Sequence, residues 1–284
     1  MTTSSAIVVP ARDGAALLAA AMPALVREAR ASGAELIVVD DGSATPIAAP
    51  PGVTVLRNPR ALGPYAARNQ AWRSTAAAIL LFTDMRCVVE PGWAAALIAA
   101  VDAGAPIAGG PVTVDAGAGT AAARSARADR VMDVSGPLHH PFRPYLACCN
   151  LAVQRELLVQ LDGFDASRSG GDADLCWRAQ GVGAPPPLLV EEAMVRWTPR
   201  ATVAELWEQH YRYGWSSVDL ALRYAPEGAP PPVVPRPRSL ARLAGRFAAT
   251  AVRPGDRGAG LAGVVGEAAR AWGQWRRAHG GAQR

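Results

Sequence analysis

Short apolar runs that alternate with helical patterns constrain the fold of this chain more than any other feature of its sequence. Four such runs predict strands, at residues 6–10, 35–39, 53–56 and 78–82. Apolar residues recur at helical spacing over residues 15–30 and 64–78, which predicts two helices. The order strand, helix, strand, strand, helix, strand predicts an α/β fold with a doubly wound, mainly parallel central sheet.

The rest of the chain continues this mixed pattern. Further helices are predicted at residues 91–101, 156–161, 172–180 and 202–224, and further strands at 107–114, 188–190 and 193–195. Gly and Ala dominate residues 116–123, which predicts a mobile loop.

A proline-rich segment divides the chain. Six prolines between residues 226 and 237 exclude a regular helix and predict a stiff linker. The predicted organisation is one domain over residues 1–225, which is long enough for a catalytic domain, a linker over 226–238 and a basic helical tail over 239–284. Within the tail, residues 240–252 and 261–278 have helical patterns studded with Arg and Trp.

The basic charge of the chain is carried by arginine and is concentrated in the tail. The 284 residues contain 29 basic side chains, all of them Arg, and the net charge is +5. Arg238, Arg242 and Arg246 are spaced to share one helix face, which would suit an anionic membrane surface, although a solvated or packed helix is the favoured interpretation. We expect no nucleic-acid partner.

Targeting signals and cysteine spacing bear on the compartment. No signal-peptide pattern and no apolar run of about 18 residues is present, so a cytoplasmic protein is expected, with peripheral contact at the inner face of the membrane as an option. The four cysteines have no Cys-x-x-Cys spacing, and apolar neighbours make Cys148 and Cys149 buried thiols rather than nucleophiles. His139 and His140 are expected to be ordinary loop histidines.

Two of the predicted strands end on acids. The run at 78–82 leads into Thr83, Asp84, Met85 and Arg86, and the run at 35–39 leads into Asp40 and Asp41. Ligands of open α/β sheets bind outside the carboxyl ends of the strands. A polar turn gives an alternative explanation of Asp40 and Asp41 taken alone.

Several motifs in order resemble the family 2 glycosyltransferases of the GT-A fold. They are Val8 to Arg12, Val38 to Ser43, Gly63 to Asn69, Phe82 to Asp84, Gly163 to Asp165 and Asp172 to Arg178. The resemblance spans roughly residues 6 to 220. It implies that a sugar is transferred, with inversion, from a nucleotide-diphosphate donor to an acceptor hydroxyl or amine. The expected donor is a UDP-sugar. The expected acceptor is a cell-envelope glycan or lipid, or a specialised metabolite.

The resemblance assigns roles to individual residues. It implies a donor half over residues 1–110 and an acceptor half over 111–225, with Asp40 or Asp41 reading the base. The donor-binding set that it implies is Pro10, Arg12, Asp40, Asp41, Arg68, Asp84 and Arg86. Asp172 is the implied catalytic base, although helix capping is an alternative role, and Gly171 stands where the family carries Glu. Trp93, Asp174 and Trp177 are expected on the acceptor side, although helix packing explains Trp93 equally well.

Two positions depart from the family pattern. The family's second strand-end acid, a metal ligand, is replaced by Arg86, and its late metal-binding histidine by Trp197. Asp84 is the one remaining candidate ligand, so the binding of the Mg²⁺ or Mn²⁺ that the family implies is in doubt. We assign to Arg86 the electrostatic role that the metal ion has in the family. The alternatives are a catalytically impaired nucleotide-sugar-binding protein and, less consistent with residues 172–178, a nucleotidyltransferase.

Overall fold

The computed structural model describes residues 3–115, 119–165, 167–252 and 256–281, without the side chains of residues 237–241, 244, 251 and 252. Within these ranges the strands are β1 (Ser5–Ala11), β2 (Glu35–Asp40), β3 (Val53–Arg57), β4 (Ile79–Thr83), β5 (Cys87–Val89), β6 (Ile107–Gly109), β7 (Val112–Val114), β8 (Asn150–Gln154), β9 (Leu188–Leu189) and β10 (Val195–Trp197).

The helices agree closely with the apolar spacing of the sequence. They are α1 (Ala15–Ser32), α2 (Pro64–Ser74), α3 (Trp93–Asp102), α4 (Ala121–Ala128), α5 (Ser135–Leu138), α6 (Arg155–Gln160), α7 (Gly171–Gly181), α8 (Val203–Arg223), α9 (Pro237–Val252) and α10 (Arg257–Ala278). Pro64 opens α2, and Thr202 and Glu205 form a capping box at the start of α8, so both boundaries have local causes.

The main sheet has the order β3-β2-β1-β4-β8-β6-β9. Its pairings are parallel from β3 through β4 and between β6 and β9, and β8 runs antiparallel to both of its neighbours. The mixed, mainly parallel sheet predicted from the sequence is therefore confirmed. β1, with all seven residues buried, lies between β2 and β4, so the carboxyl ends of β1 to β4 meet at one edge.

The strand predicted at residues 107–114 is wrong, because the chain divides it between two sheets. β6 belongs to the main sheet, whereas β7 joins a smaller sheet with the order β5-β10-β7. Gly110 lies so close to the neighbouring backbone that a Cβ there would be 1.8 Å from the carbonyl oxygen of Ala193. Pro111 has no N–H to donate, so the ladder cannot continue through it.

The loop predicted at residues 116–123 is also partly wrong. α4 begins at Ala121, where the Thr120 hydroxyl accepts a hydrogen bond from the backbone N–H of Ala123. Ala favours helix strongly, and one capping hydroxyl suffices to start it. Residues 116–118 of the prediction, which include one of its two glycines, lie outside the described residues.

The contacts of the chain define two compact units. The first contains residues 1–113 and 133–197, with both sheets, and the second contains residues 114–132 and 198–284. In the second unit α10 packs along α8 at very short range. A Cβ on Gly214 would lie 2.0 Å from the backbone oxygen of Arg270, and one on Gly273 would lie 2.1 Å from that of Tyr211.

Part of the positive charge of the second unit is neutralised within it. Arg277 donates to Asp219 at 2.8 Å, and Arg246 forms an ion pair with Glu267. The side chain of Arg238, which the sequence placed on one helix face with Arg242 and Arg246, lies outside the described set. Among the described helices, none has the length and hydropathy that crossing a bilayer requires.

A buried histidine makes the second unit sensitive to acid. His210 on α8 is 7% exposed, and neither ring nitrogen has a hydrogen-bond partner among the described residues. Burial, followed by the positive charge of Arg270, lowers the pKa of His210 to about 4; Asp129 and Glu267 oppose this effect. The folded state therefore keeps His210 neutral at a pH at which the unfolded chain protonates it.

We expect the protein to lose stability as the pH falls from about 6.5 to about 4, because only the unfolded state gains this proton in that window. The full effect is on the order of 3 kcal/mol. Urea unfolding at pH 7 and pH 5 measures it, and the difference shrinks in His210→Leu. The exposed histidine variant His139→Gln serves as control, and equal pH dependence in all three proteins would contradict the assignment.

Candidate functional site

The predicted donor-binding residues gather at the carboxyl edge of the main sheet. β1 ends beside β2 with Ala11 opposite Asp40, and Asp40 is in turn opposite Arg57 of β3. Arg12 follows β1 and is half exposed, with its Nε 3.3 Å from Asp13. Pro10 is buried within β1. The ends of β1, β2 and β3 therefore lie side by side at this edge.

Asp40 is bound by its own loop. Its Oδ1 accepts from the N–H of Ser43 at 2.8 Å, and its Oδ2 accepts from the N–H of Ile47 and from the guanidinium of Arg57. Burial alone would raise the pKa of Asp40, but the hydrogen bonds from Ser43, Ile47 and Arg57 outweigh it and lower the pKa. The carboxylate is therefore ionised and holds the turn after β2 in place.

Asp41 is bound in the same way to the loop before α2. Its Oδ1 accepts from the Asn58 side chain and from the N–H of Leu62, and its Oδ2 accepts from the N–H of Gly63, each at 2.8 Å. Both acids are buried. In this conformation both carboxylates hold the neighbouring loops in place. A direct contact between either carboxylate and a nucleotide base stays a prediction.

Arg68 carries a buried positive charge beneath the end of β4. The residue is 3% exposed, its Nη2 donates to the carbonyl of Thr83 over a long 3.4 Å, and its Nε has no hydrogen-bond partner among the described residues. Burial alone would lower the pKa of Arg68, but Cys148, Tyr65, Asp84 and Asp172 outweigh it and raise the pKa. The positive charge of this guanidinium acts on the end of β4 from inside the protein, because almost none of its surface is exposed.

The end of β4 differs from an acidic metal site in two neighbouring positions. Asp84 accepts a hydrogen bond from the backbone N–H of Arg86, at 3.0 Å. Cys87, the next residue, is opposite Trp197 in the pairing of β5 with β10. The two residues that depart from the family pattern, Arg86 and Trp197, therefore lie next to each other in the fold although they are far apart in sequence.

Asn69 connects α2 to the segment that carries the candidate base. Its Nδ2 donates to the carbonyl of Phe164 at 2.7 Å, and its Oδ1 accepts from the N–H of Phe164 at 2.9 Å. Gly163 makes room for this contact, since a Cβ there would lie 2.3 Å from Asn69 Oδ1. The chain then reaches α7 in a position set by α2.

Asp172 lies in the first turn of α7, close to α2. Its Oδ1 accepts from the N–H of Ala173 at 3.0 Å, and the hydroxyl of Tyr65 lies 3.3 Å from the same oxygen. The N-cap position of α7 is Gly170, so the capping role weighed for Asp172 in the sequence is wrong. The structure places a half-buried carboxylate beside the buried cation of Arg68.

The three residues expected on the acceptor side are buried and serve the core instead. Trp93 has no exposed surface, and its indole N–H donates to Asn150 Oδ1 at 2.7 Å. Asp174 pairs with Arg178 at 2.8 Å, and Arg178 also donates to the carbonyls of Leu161 and Gly163. In this conformation neither Trp93 nor Asp174 can contact an acceptor.

Trp177 is the third of these residues. Its indole N–H donates to the carbonyl of Arg143 at 2.8 Å, and its ring packs against those of His140 and Phe142. It anchors the loop that follows α5 and has almost no exposed surface. Sequence alone favoured an acceptor role because a tryptophan that packs and one that binds a ligand follow the same pattern.

The cysteines and the paired histidines have structural surroundings. Cys148 and Cys149 are buried free thiols, as predicted, and burial raises the pKa of Cys148 well above its usual value. His139 is exposed, whereas His140 is half-buried and burial lowers its pKa. Nucleophilic chemistry at these positions has no support in the geometry.

Sequence reasoning missed Tyr65, Asn69 and Arg57 as individual contributors. Tyr65 and Asn69 both belonged to the quoted motif Gly63 to Asn69, which was the available signal for them. Arg57 gave none, because its partner Asp40 is distant in sequence.

Sequence comparison finds known proteins that are similar to this chain. The chain is 28% identical over 244 residues to the pre-mycofactocin glycosyltransferase of Mycobacterium tuberculosis, with 79% of this chain and 49% of that protein covered. The chain thus spans about half the length of the curated relatives it matches.

Solved structures show the same fold at low identity. One is the mannosyltransferase PcManGT from Pyrobaculum calidifontis in complex with GDP-Man and Mn²⁺, with a TM-score of 0.60, 16% identity, and coverage of 94% of this chain and 85% of that one. Another is S. aureus TarS in complex with UDP-GlcNAc, with a TM-score of 0.52, 14% identity, and coverage of 75% and 65%. The GT-A fold expected from the motifs is confirmed.

The sequence model described as glycosyl transferase family 2 matches residues 6–149. This span contains β1 to β4, with their acidic ends, and α2 with Arg68 and Asn69. The chain belongs to glycosyl transferase family 2.

Proposed function

We propose that this protein transfers a sugar from a nucleotide-diphosphate donor to an acceptor hydroxyl or amine, with inversion at the anomeric carbon. The observation that carries the proposal is the pairing of two groups in one site. Arg68 is a buried guanidinium whose Nε has no partner among the described residues, and Asp172 is a half-buried carboxylate close to it. The first supplies positive charge close to the proposed diphosphate position, and the second suits a general base.

The chemical step needs only groups already present in the reactants and the protein. The acceptor oxygen or nitrogen attacks the anomeric carbon as its proton passes to the Asp172 carboxylate. The bond between the anomeric carbon and the diphosphate oxygen breaks, and the nucleoside diphosphate leaves with that electron pair. One displacement at carbon inverts its configuration, and cationic groups beside the diphosphate stabilise the departing charge.

We propose a UDP-sugar as the first donor to test. The nucleotides bound to the two structural relatives are UDP-GlcNAc and GDP-Man, so both uridine and guanosine donors occur on this fold. The matched mycobacterial protein is named a pre-mycofactocin glycosyltransferase, so an acceptor similar to pre-mycofactocin is one candidate, and other specialised metabolites are a second. Cell-envelope glycans and lipids are the alternative, and peripheral membrane contact through the basic tail stays a prediction.

We further propose that fixed positive charge replaces a divalent cation at the diphosphate. The residues at the end of β4 do not fit a metal, since Asp84 is followed by Arg86 and Trp197 lies beside Cys87. Within the described residues, no group of three or more His, Cys, Asp or Glu side chains could hold an ion. A guanidinium supplies charge and two parallel donors to phosphate oxygens without a metal.

The same substitutions favour a second candidate function, that of a nucleotide-sugar-binding protein with impaired catalysis. In that case Arg86 and Trp197 have removed the catalytic cation without replacing it. Donor turnover separates the two functions: calorimetric binding of a nucleotide-sugar without transfer or hydrolysis would support the binding protein.

Asp172→Asn is expected to lower transfer at least 100-fold, because the amide cannot accept the acceptor proton, while the Kd for the nucleoside diphosphate changes by less than about threefold. Product formation by mass spectrometry and calorimetry measure the two quantities. Asp162→Asn, which removes an exposed acid paired with Arg73, is the matched control. Substantial turnover by Asp172→Asn would remove Asp172 from the role of base.

Transfer is expected to survive excess EDTA, because the charge at the diphosphate belongs to the protein. Arg86→Ala is expected to lower kcat at least tenfold. Arg196→Ala, which removes a nearby surface arginine paired with Glu90, is expected to change it little. Complete loss of activity in EDTA with recovery on addition of Mn²⁺ would contradict the proposed replacement of the metal.

A further inference from the structure

Tyr65 is a rigid neighbour of the candidate base. It is 6% exposed, its ring stacks on that of Phe164 with centroids 5.7 Å apart, and Phe164 in turn packs edge-on against Phe82 of β4. The guanidinium of Arg68 lies 5.5 Å from the centre of the Tyr65 ring. The phenol therefore has one well-defined position, with its hydroxyl 3.3 Å from Asp172 Oδ1.

Gly171 provides the space that the Tyr65 ring fills. A Cβ at residue 171 would lie 2.9 Å from three carbons of that ring, closer than real side chains come. The backbone of Gly171 does not have a left-handed conformation, so the glycine is needed for space rather than for backbone freedom. Any side chain at this position would displace the phenol from Asp172.

The hydrogen bonds of Asp172 are unevenly divided between its two oxygens. Oδ1 receives the N–H of Ala173 and the hydroxyl of Tyr65, whereas Oδ2 has no hydrogen-bond partner among the described residues. Burial, followed by the charge of Asp172, raises the pKa of Tyr65 well above its usual value. The phenol is therefore protonated at neutral pH, so it donates and the carboxylate accepts.

We propose that the Tyr65 hydroxyl is a positioning residue for Asp172: it anchors Oδ1, so that Oδ2 faces the acceptor as the proton-accepting atom. Gly171 is needed for this arrangement, because its lack of a side chain leaves the space that the Tyr65 ring occupies. The inference rests on the proposed glycosyl transfer for its catalytic meaning. The contact between Tyr65 and Asp172 can be tested without turnover.

The kinetic test is Tyr65→Phe, which keeps the ring and its packing and removes only the hydroxyl. We expect kcat to fall about tenfold or more with the donor KM changed less than about threefold, since the base is misoriented while the donor site is intact. The acid limb of the pH–rate profile is expected to move to higher pH, because a donated hydrogen bond favours the ionised carboxylate. Tyr211→Phe, which removes a phenol hydroxyl of the second unit, is the matched control.

Gly171→Ala tests the role of Gly171 in this arrangement. It is expected to lower kcat in the wild-type background by displacing the phenol. In the Tyr65→Phe background it is expected to cost clearly less, because the hydroxyl contact is already absent; such non-additivity is the signature of one shared interaction. Additive losses, or a Tyr65→Phe enzyme with wild-type kcat and pH profile, would overturn the proposal.

A spectroscopic test separates this inference from the proposed function. In protein labelled at the tyrosine ¹³Cζ, the Tyr65 resonance is identified by its loss in Tyr65→Phe. We expect its chemical shift to change in Asp172→Asn, which alters the acceptor of the phenol hydrogen bond, and to stay the same in the control Asp162→Asn. An unchanged resonance in Asp172→Asn would overturn the contact, whereas a changed resonance in a protein that turns over no donor would retain the contact and refute only the glycosyl transfer.

Discussion

The parallel pairing of β1 with β2 and β4 is the constraint on which the site depends. Because neighbouring parallel strands end at the same edge, the register that places Ala11 opposite Asp40 also brings the turn after β2 and the end of β4 together. β1 is buried along its whole length, so a one-residue shift of its register would exchange the side chains of its two packed faces and disturb the packing on both. The position of the site follows from the packing of this strand.

The buried negative and positive charges at this edge differ in how fully they are hydrogen-bonded. Asp40 and Asp41 are buried, and their carboxylate oxygens receive donors from neighbouring segments of the chain, which stabilises the two loops. Arg68 is equally buried, but it has one long hydrogen bond and an Nε without a partner in the described part of the chain. Buried polar groups are normally satisfied, so the Nε of Arg68 is an exception among the described residues, and the proposed diphosphate site would account for it.

The local pattern of the sequence accounts for much of the fold. Apolar strands and helix-start signals such as Pro64 and the Thr202–Glu205 capping box predicted elements that the structure contains, because both depend on residues close together in the chain. The single strand predicted over residues 107–114 failed for two reasons. Pro111 is a local break, since it has no N–H to donate, and the close approach of Ala193 to Gly110 comes from a distant part of the chain.

In the candidate site, too, some features follow from the local sequence and others only from tertiary contacts. The sequence by itself determined the family, the strand-end positions of Asp40, Asp41 and Asp84, and the replacement of an acid by Arg86, because motif identity and strand termination are encoded locally. Only the tertiary structure decided that Trp93, Asp174 and Trp177 are buried, that Trp197 lies beside Cys87, and that Tyr65 meets Asp172 across the space left by Gly171. Burial and contact depend on residues from distant parts of the chain, whose approach is set by packing and not by sequence spacing.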